Sequence, residues 1–199
     1  MTYSRRKTLR RFEKSRDAHE LTFSCQGRRP LLVNDDWNRL LADHINQATS
    51  RHGYDLIAYV FMPEHVHLLV LPHEKCRSIS VLLSGIKRPF SYRVKQILAE
   101  SHDPLLDELT IQQRPGINAF RFWLEGAGYD RNLTNTQTFE AAIEYIHNNP
   151  ARRGLCERAI DWRWSSARHF LEPGSQSDDS LPRLDSIPVQ WKSTGNGFY

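Results

Sequence analysis

Residues 54–72, YDLIAYVFMPEHVHLLVLP, decide the fold. Tyr54–Met62 is dense in β-branched and aromatic side chains, the composition of a strand. Pro63-Glu64 breaks that run, and His65–Leu71 forms a further strand closed by Pro72. Upstream, Gly53 ends a helix that Asp35-Asp36 can cap and that runs through Trp37, Leu40, Leu41, Ile45 and Ala48. Before a turn at 26–30, Leu21, Phe23 and Cys25 alternate with polar neighbours, so His19–Cys25 is expected to be a strand. Downstream, Ser78–Leu98 has helical spacing with Pro89 inside it, which predicts a kink or two shorter helices. Residues 99–119 read as a loop, Phe120–Leu124 as a short aromatic strand, and Gly126 to Gly128 as a turn. Thr136 can cap a last helix through Phe139, Ala142, Ile143 and Ile146, stopped by Pro150. The order β-α-β-β-α-β-α is the split β-α-β pattern of an α+β, ferredoxin-like fold: an antiparallel sheet backed by helices. Such a fold hosts many activities, so function has to come from side chains.

The chain has 199 residues, enough for one domain with tails. The expected division is a basic arm over 1–17, a domain over 18–172, and a mobile tail over 173–199, rich in Ser, Asp, Pro and Gly. The longest apolar run, Leu56–Met62, is too short to cross a bilayer, and no apolar stretch follows the basic N-terminus as a secretory signal requires. Cys25, Cys76 and Cys156 are odd in number and contain no CxxC pair, which argues against a disulfide framework and for a reducing cytoplasm. The formal charge of +4 is unevenly placed. Within residues 1–16, Arg5, Arg6, Lys7, Arg10, Arg11, Lys14 and Arg16 face a single acid, Glu13, so a strongly basic arm precedes a slightly acidic body. An arm of this kind attracts phosphates without regard to sequence.

His65 and His67 are two apart on a strand and therefore share a face, while Val66 and Leu68 point into the core. Two neutral imidazoles on one rigid strand make a pair of metal ligands. The same spacing also suits two hydrogen-bonded structural histidines, or a zinc site closed by His73 and Cys76. A histidine-triad hydrolase would want a third histidine at 69, where Leu69 stands. On the last helix, Tyr145 and Asn149 are four apart, so a phenol and a carboxamide share a face about one turn apart. Asn148 and Asn149 also suit a helix C-terminus for local reasons.

MPEHVHLLV, YIHNNPARRGL and WRWSSARHF, in that order, resemble the REP-associated tyrosine transposases, members of the wider group of HUH single-strand transposases. The resemblance covers roughly residues 21–170. It implies metal ligation by His65, His67 and Asn149 and a nucleophilic Tyr145. It implies Mg²⁺ or Mn²⁺ as cofactor: ligand type favours Mn²⁺, cellular abundance Mg²⁺. It also implies cleavage and joining of single-stranded DNA beside hairpins through a 5′-phosphotyrosine enzyme, with no nucleotide cofactor. A prokaryotic, cytoplasmic, nucleoid-associated protein follows from the same resemblance, working as a monomer or a homodimer. The family's usual NPV carries Ala151 here, and the stretch 99–119 has no assigned role. Glu64 and His147 are the nearby groups that could act as general base.

Candidate phosphate contacts are Arg5, Arg6, Arg10 and Arg11 on the arm, Lys87, Arg88, Arg93 and Lys95 on the second long helix, and Arg152-Arg153 after the tyrosine. Of Trp162 and Trp164, one can stack a base while the other packs in the core. Two rival functions use the same residues. One is a single-stranded nucleic-acid-binding regulator without catalysis, the other a phosphoesterase whose nucleophile is water.

Overall fold

The computed structural model describes residues 17–126, 128–174 and 178–192. Arg5, Arg6, Arg10 and Arg11 lie outside the described residues. In chain order the elements are β1 (Ala18–Ser24), α1 (Asp35–His52), β2 (Tyr54–Met62), β3 (His65–Pro72) and α2 (Ile79–Glu100). There follow α3 (Leu105–Glu108), β4 (Thr110–Arg114), β5 (Ile117–Phe120), β6 (Tyr129–Leu133), α4 (Thr136–Arg152) and α5 (Ala167–Leu171). Four strands form one sheet in the order β2-β3-β1-β6. Every neighbouring pair is antiparallel. Because β1 and β2 both oppose β3, they run parallel to each other on either side of it, joined by α1, as a split β-α-β order demands.

Both faces of the sheet are buried. Val66, Leu68 and Val70 point into a core shared with Trp37, Leu41 and Ile45 of α1 and with Leu82, Ile86, Phe90 and Val94 of α2. Leu69 and Leu71 point the other way, against Phe139, Ala142, Ile143 and Ile146 of α4. By strand alternation His65 and His67 belong to this second face. In β2 the pairing with β3 slips by one residue between Leu56 and Ala58. The extra residue puts Ile57 and Ala58 together on the α4 side, whereas Tyr59 and Phe61 stay with α1 and α2.

Several expectations need correction. Asn34, not Asp35-Asp36, caps α1: its side chain accepts from the Asp36 and Trp37 amides at 2.9 and 3.1 Å. Asn135 likewise caps α4 in place of Thr136. Pro89 does not divide α2, which is one helix of 22 residues. Ile86, Phe90 and Val94 bury a stripe on both sides of the proline, and that burial outweighs a local cost of about 3 kcal/mol. Pro150 does not stop α4, which runs on to Arg152 before Gly154 turns left-handed at φ 69°.

The fourth sheet strand is β6, YDRNL, rather than Phe120–Leu124. Phe122 and Trp123 are instead core plugs, packed edge-on against Trp37 and Phe23 respectively. Residues 121–124 add a bridge to the end of β1, with Leu124 N–H donating to the Ser24 carbonyl at 2.8 Å. A polar edge strand has no apolar alternation to betray it. Entry into β6 depends on Gly128, at φ 73°, where a Cβ would stand 2.0 Å from the Thr22 carbonyl oxygen. Residues 99–119 are not a plain loop: they form α3 and most of the β4–β5 ribbon, a separate two-stranded sheet.

Residues 178–192, within the stretch expected as a tail, pack against the domain. The Asp185 amide donates to the Leu56 carbonyl, and the Asp185 carboxylate accepts from the Leu56 amide, both at 2.9 Å. Trp191 stacks on Phe139 with ring centroids 4.7 Å apart. Burying an indole offsets the entropy of ordering the segment. Trp191→Ala should therefore destabilise the protein by about 3 kcal/mol, read as a lower midpoint in denaturant. A change below about 0.5 kcal/mol would show that the segment is not docked.

Candidate active site

The strand pair β1–β3 and helix α4 converge on one point. His65 Nε2 and His67 Nε2 lie 2.9 Å apart, and the Asn149 amide nitrogen is 3.3 Å from His67 Nε2. The Tyr145 ring meets His67 edge-on, with centroids 5.6 Å apart and planes at 86°. Tyr145 is 41% exposed, so its ring closes the site toward solvent while Asn149, one turn on, is buried beneath it. Asn149 is not a cap, since its carbonyl still accepts the Arg153 amide in the last turn. The i, i+4 spacing thus does what helix geometry allows: it aims two polar groups at one place.

A further set of groups holds the imidazoles from behind. Thr22 stands opposite His67 in the β1–β3 register, and its hydroxyl is 2.9 Å from His67 Nδ1. Glu64 accepts from His65 Nδ1 at 3.0 Å and also takes the Arg153 guanidinium. Burial lowers the His67 imidazole to about 3, with His65 adding to the effect. Burial also lowers His65, against the opposing pull of Glu64. Desolvation alone would push Glu64 up, but Arg153 and His65 hold it below its ordinary value. Both rings are therefore neutral near pH 7. With Glu64 accepting from Nδ1, His65 presents a lone pair at Nε2. A hydroxyl can donate or accept, so Thr22 suits either tautomer of His67. When Thr22 accepts from Nδ1, both Nε2 lone pairs point at the same spot.

This donor set fits a divalent cation. Two ligands at right angles, each about 2.1 Å from an octahedral ion, lie about 3.0 Å apart, close to the 2.9 Å observed. A half-turn of the Asn149 amide brings its oxygen to the position of its nitrogen. The alternative zinc set is not assembled. His73 lies at the opposite end of β3, about 26 Å along the strand from His65, where it pairs with Asp55 at 2.6 Å. Among the described residues, no cluster of three or more His, Cys, Asp or Glu side chains is arranged to hold a metal. Cys25, Cys76 and Cys156 are free.

The expected phosphate contacts divide. Arg152 lies over the Tyr145 ring at 5.6 Å, and Arg153 bonds Glu64, so both flank the site. Lys87, Arg88, Arg93 and Lys95 do not, because α2 covers the opposite face of the sheet. Lys87 is further committed to the Leu124 and Gly126 carbonyls at 3.3 and 3.1 Å. The Trp164 ring is not free to stack a base. Trp164 is buried, stacks on Phe61 and donates to Asp35, while Trp162 donates to the Phe61 carbonyl. His147 points away from Tyr145, into a buried contact with Ser166 Oγ at 2.8 Å. Sequence inspection missed Thr22 as a partner of His67. Alternation places it on the histidine face, but only the strand register sets it opposite.

The family model described as IS200-like transposase matches residues 17–149, two thirds of the chain, and spans His65, His67, Tyr145 and Asn149. The chain belongs to the IS200-like transposase family. This IS200-like transposase is 24% identical, over 143 residues, to a REP-associated tyrosine transposase of Haemophilus influenzae, covering 68% of this chain and 76% of that protein. A solved REP-associated tyrosine transposase bound to a REP hairpin superimposes with a TM-score of 0.65 at 18% identity, over 92% of this chain and 99% of that one. The second likeness is one of fold. Among the described residues, no helix of this IS200-like transposase is long and apolar enough to cross a membrane.

Proposed function

We propose that this protein cuts and rejoins single-stranded DNA beside hairpins, using Tyr145 as nucleophile and a Mg²⁺ or Mn²⁺ ion held by His65, His67 and Asn149. The observation that carries this reading is the convergence of two imidazole Nε2 atoms, one carboxamide and one phenol ring at a single, half-open point. The hairpin substrate is supported by the hairpin bound to the solved relative.

A bound divalent cation would polarise the scissile phosphate and offset its developing charge. The chain's own groups do the rest. The Tyr145 oxygen attacks phosphorus in line, and the bond to the 3′ oxygen breaks. The 5′ phosphate is left esterified to the enzyme, and in net terms the phenol proton ends on the released 3′-hydroxyl. Reversal by that hydroxyl, or by another 3′ end, joins strands without an energy donor. Arg152, beside the Tyr145 ring, is placed to meet a phosphate oxygen. Glu64 and Thr22 keep the imidazoles oriented. Glu64 is occupied by two partners and His147 is turned away, so neither is assigned as a base.

The test is incubation of hairpin-bearing single-stranded DNA with the protein and Mn²⁺ or Mg²⁺, followed by peptide mass spectrometry. DNA attached to the Tyr145 peptide is expected, and cleavage without an adduct would favour a water nucleophile instead. Glu64 offers a separate check on the metal. Glu64→Gln keeps an acceptor for His65 but loses the charge that pairs with Arg153. Mn²⁺ affinity should fall about tenfold, and further in Glu64→Ala, as measured by titration calorimetry. Unchanged affinity in both variants would remove Glu64 from the metal-supporting role.

A further inference from the structure

Helix α4 lies over β2 and β3, and its two flanks differ. On one flank His147 reaches Ser166, whose amide closes the outer edge of β2. Tyr145 is two residues earlier, about 200° around the helix, so it hangs over the opposite flank, toward β1 and β6. Strand pairing shows what it faces there. Glu20 and Thr22 of β1 share the His67 face. On the next strand Arg131 stands opposite Glu20, and Tyr129 opposite Thr22. Tyr129 is 51% exposed and the Arg131 side chain 49%, so this rim of the sheet is open.

The two sides of the resulting trough lie at one level. Asn149 meets His67, and four helical residues, about 6 Å, carry Tyr145 back to about the level of Leu69. Leu69 pairs with Glu20, and Glu20 with Arg131. Strand β6 is two spacings, about 10 Å, from β3. Arg131 therefore faces Tyr145 across a gap wide enough for one extended strand. Glu20, on the floor, is a carboxylate only 5% exposed, and such a group costs stability unless a cation offsets it. Among the described residues its one ion-pair partner is Arg131, at 3.6 Å. Burial pushes the Glu20 carboxyl up, and Arg131 opposes that rise. The pair is lopsided, with a buried acid and a half-exposed guanidinium. Five N–H groups in a fixed fork leave the outward ones for a second anion.

We propose that Arg131, held by Glu20, binds a phosphate of the cleaved strand next to the scissile one and so sets that strand in line with Tyr145. The proposal rests on the tyrosine reading of the site. Glu20 is a positioning residue: it fixes the guanidinium before the strand arrives, which lowers the cost of ordering it. Arg152 holds the strand from the helix side and Arg131 from the sheet edge, one on each side of the phenol. The fork of an arginine suits a phosphate that must be oriented as well as attracted.

Arg131→Ala alone would strand a buried carboxylate, so the test uses the full chain with Glu20→Gln/Arg131→Gln and with Glu20→Gln. Substrates are hairpin-bearing single-stranded DNAs with one methylphosphonate, a neutral linkage, at each position around the cleavage site in turn. Anisotropy without metal reads binding, and cleavage with Mn²⁺ reads kcat and KM. In wild-type protein one neutral linkage beside the scissile phosphate should weaken binding about tenfold. The double variant should bind the natural strand about tenfold more weakly, with about 0.7 less salt slope. It should show no further loss at that linkage. Glu20→Gln should raise KM about fivefold with kcat within about twofold and the salt slope kept. Equal losses at every linkage in wild-type protein and the double variant would overturn the proposal. A lower thermal midpoint in Glu20→Gln with KM unchanged would overturn the positioning role and leave the pair a structural one. If wild-type protein makes no Tyr145 adduct while the linkage effect still vanishes in the double variant, the nuclease reading fails and the Arg131 contact stands.

Discussion

Tyr145→Phe is expected to lower strand cleavage by at least about 10⁴-fold and to abolish the covalent adduct, while leaving the fold intact. The magnitude follows from removing the atom proposed to form the new bond to phosphorus. The fold is spared because Tyr145 is 41% exposed and its ring makes the packing contacts, edge-on against His67 and beneath the Arg152 guanidinium. A phenyl ring keeps both. The thermal midpoint should therefore stay within about a degree of wild type, since surface changes of this kind fall within about 0.5 kcal/mol. Cleavage that persists in the variant with Mn²⁺ would sink the tyrosine mechanism and install water as nucleophile.

His67→Ala is the second large effect. A bound cation contributes several kcal/mol to transition-state stabilisation, and each 1.36 kcal/mol is tenfold in rate. Losing a central ligand should cut cleavage about 10³-fold or more and remove measurable Mn²⁺ binding. The substitution also takes the partner from the half-buried Thr22 hydroxyl, which costs about 1 kcal/mol of stability. The two losses are separable: denaturant midpoints report the second, and metal titration of protein verified as folded reports the first. His73→Ala is the control, because His73 pairs with Asp55 far along β3 and should leave metal binding unchanged. Wild-type cleavage by the His67 variant would remove the imidazole pair from the chemistry.

Why was the site so legible in the sequence? Its two halves rest on strictly local geometry. A period of two sets His65 beside His67, and a spacing of four sets Tyr145 above Asn149; neither needs tertiary information. What locality cannot supply is which residues arrive from elsewhere. Glu64 meets Arg153 across 89 positions, and Thr22 reaches His67 through a strand register that no single segment encodes. The same limit applies at Lys87. Its charge on a helix suggested a phosphate contact, but two carbonyls of a distant turn claim its ammonium group. The fold was legible wherever an apolar pattern marked an element, as in β2, β3 and α1. It was misjudged where polarity prevailed: β6 is a polar edge, and β4–β5 is a polar ribbon with no core to face. At Pro89, local propensity was overruled by burial on either side.

The outer edge of β2 is closed by segments that follow it late in the chain. Phe61 N–H donates to the Trp164 carbonyl, Ser166 N–H to Tyr59, and Asp185 brackets Leu56. A nascent chain emerging from the ribosome therefore exposes an apolar strand rim until residues beyond 160 have been made. That interval spans about a hundred residues of synthesis after β2 itself, or roughly 5–20 seconds. During it the unfinished sheet can recruit a neighbouring nascent chain of its own kind. Aggregation during expression should thus be governed by the last third of the polypeptide, even though among the described residues that third supplies no strand of the main sheet.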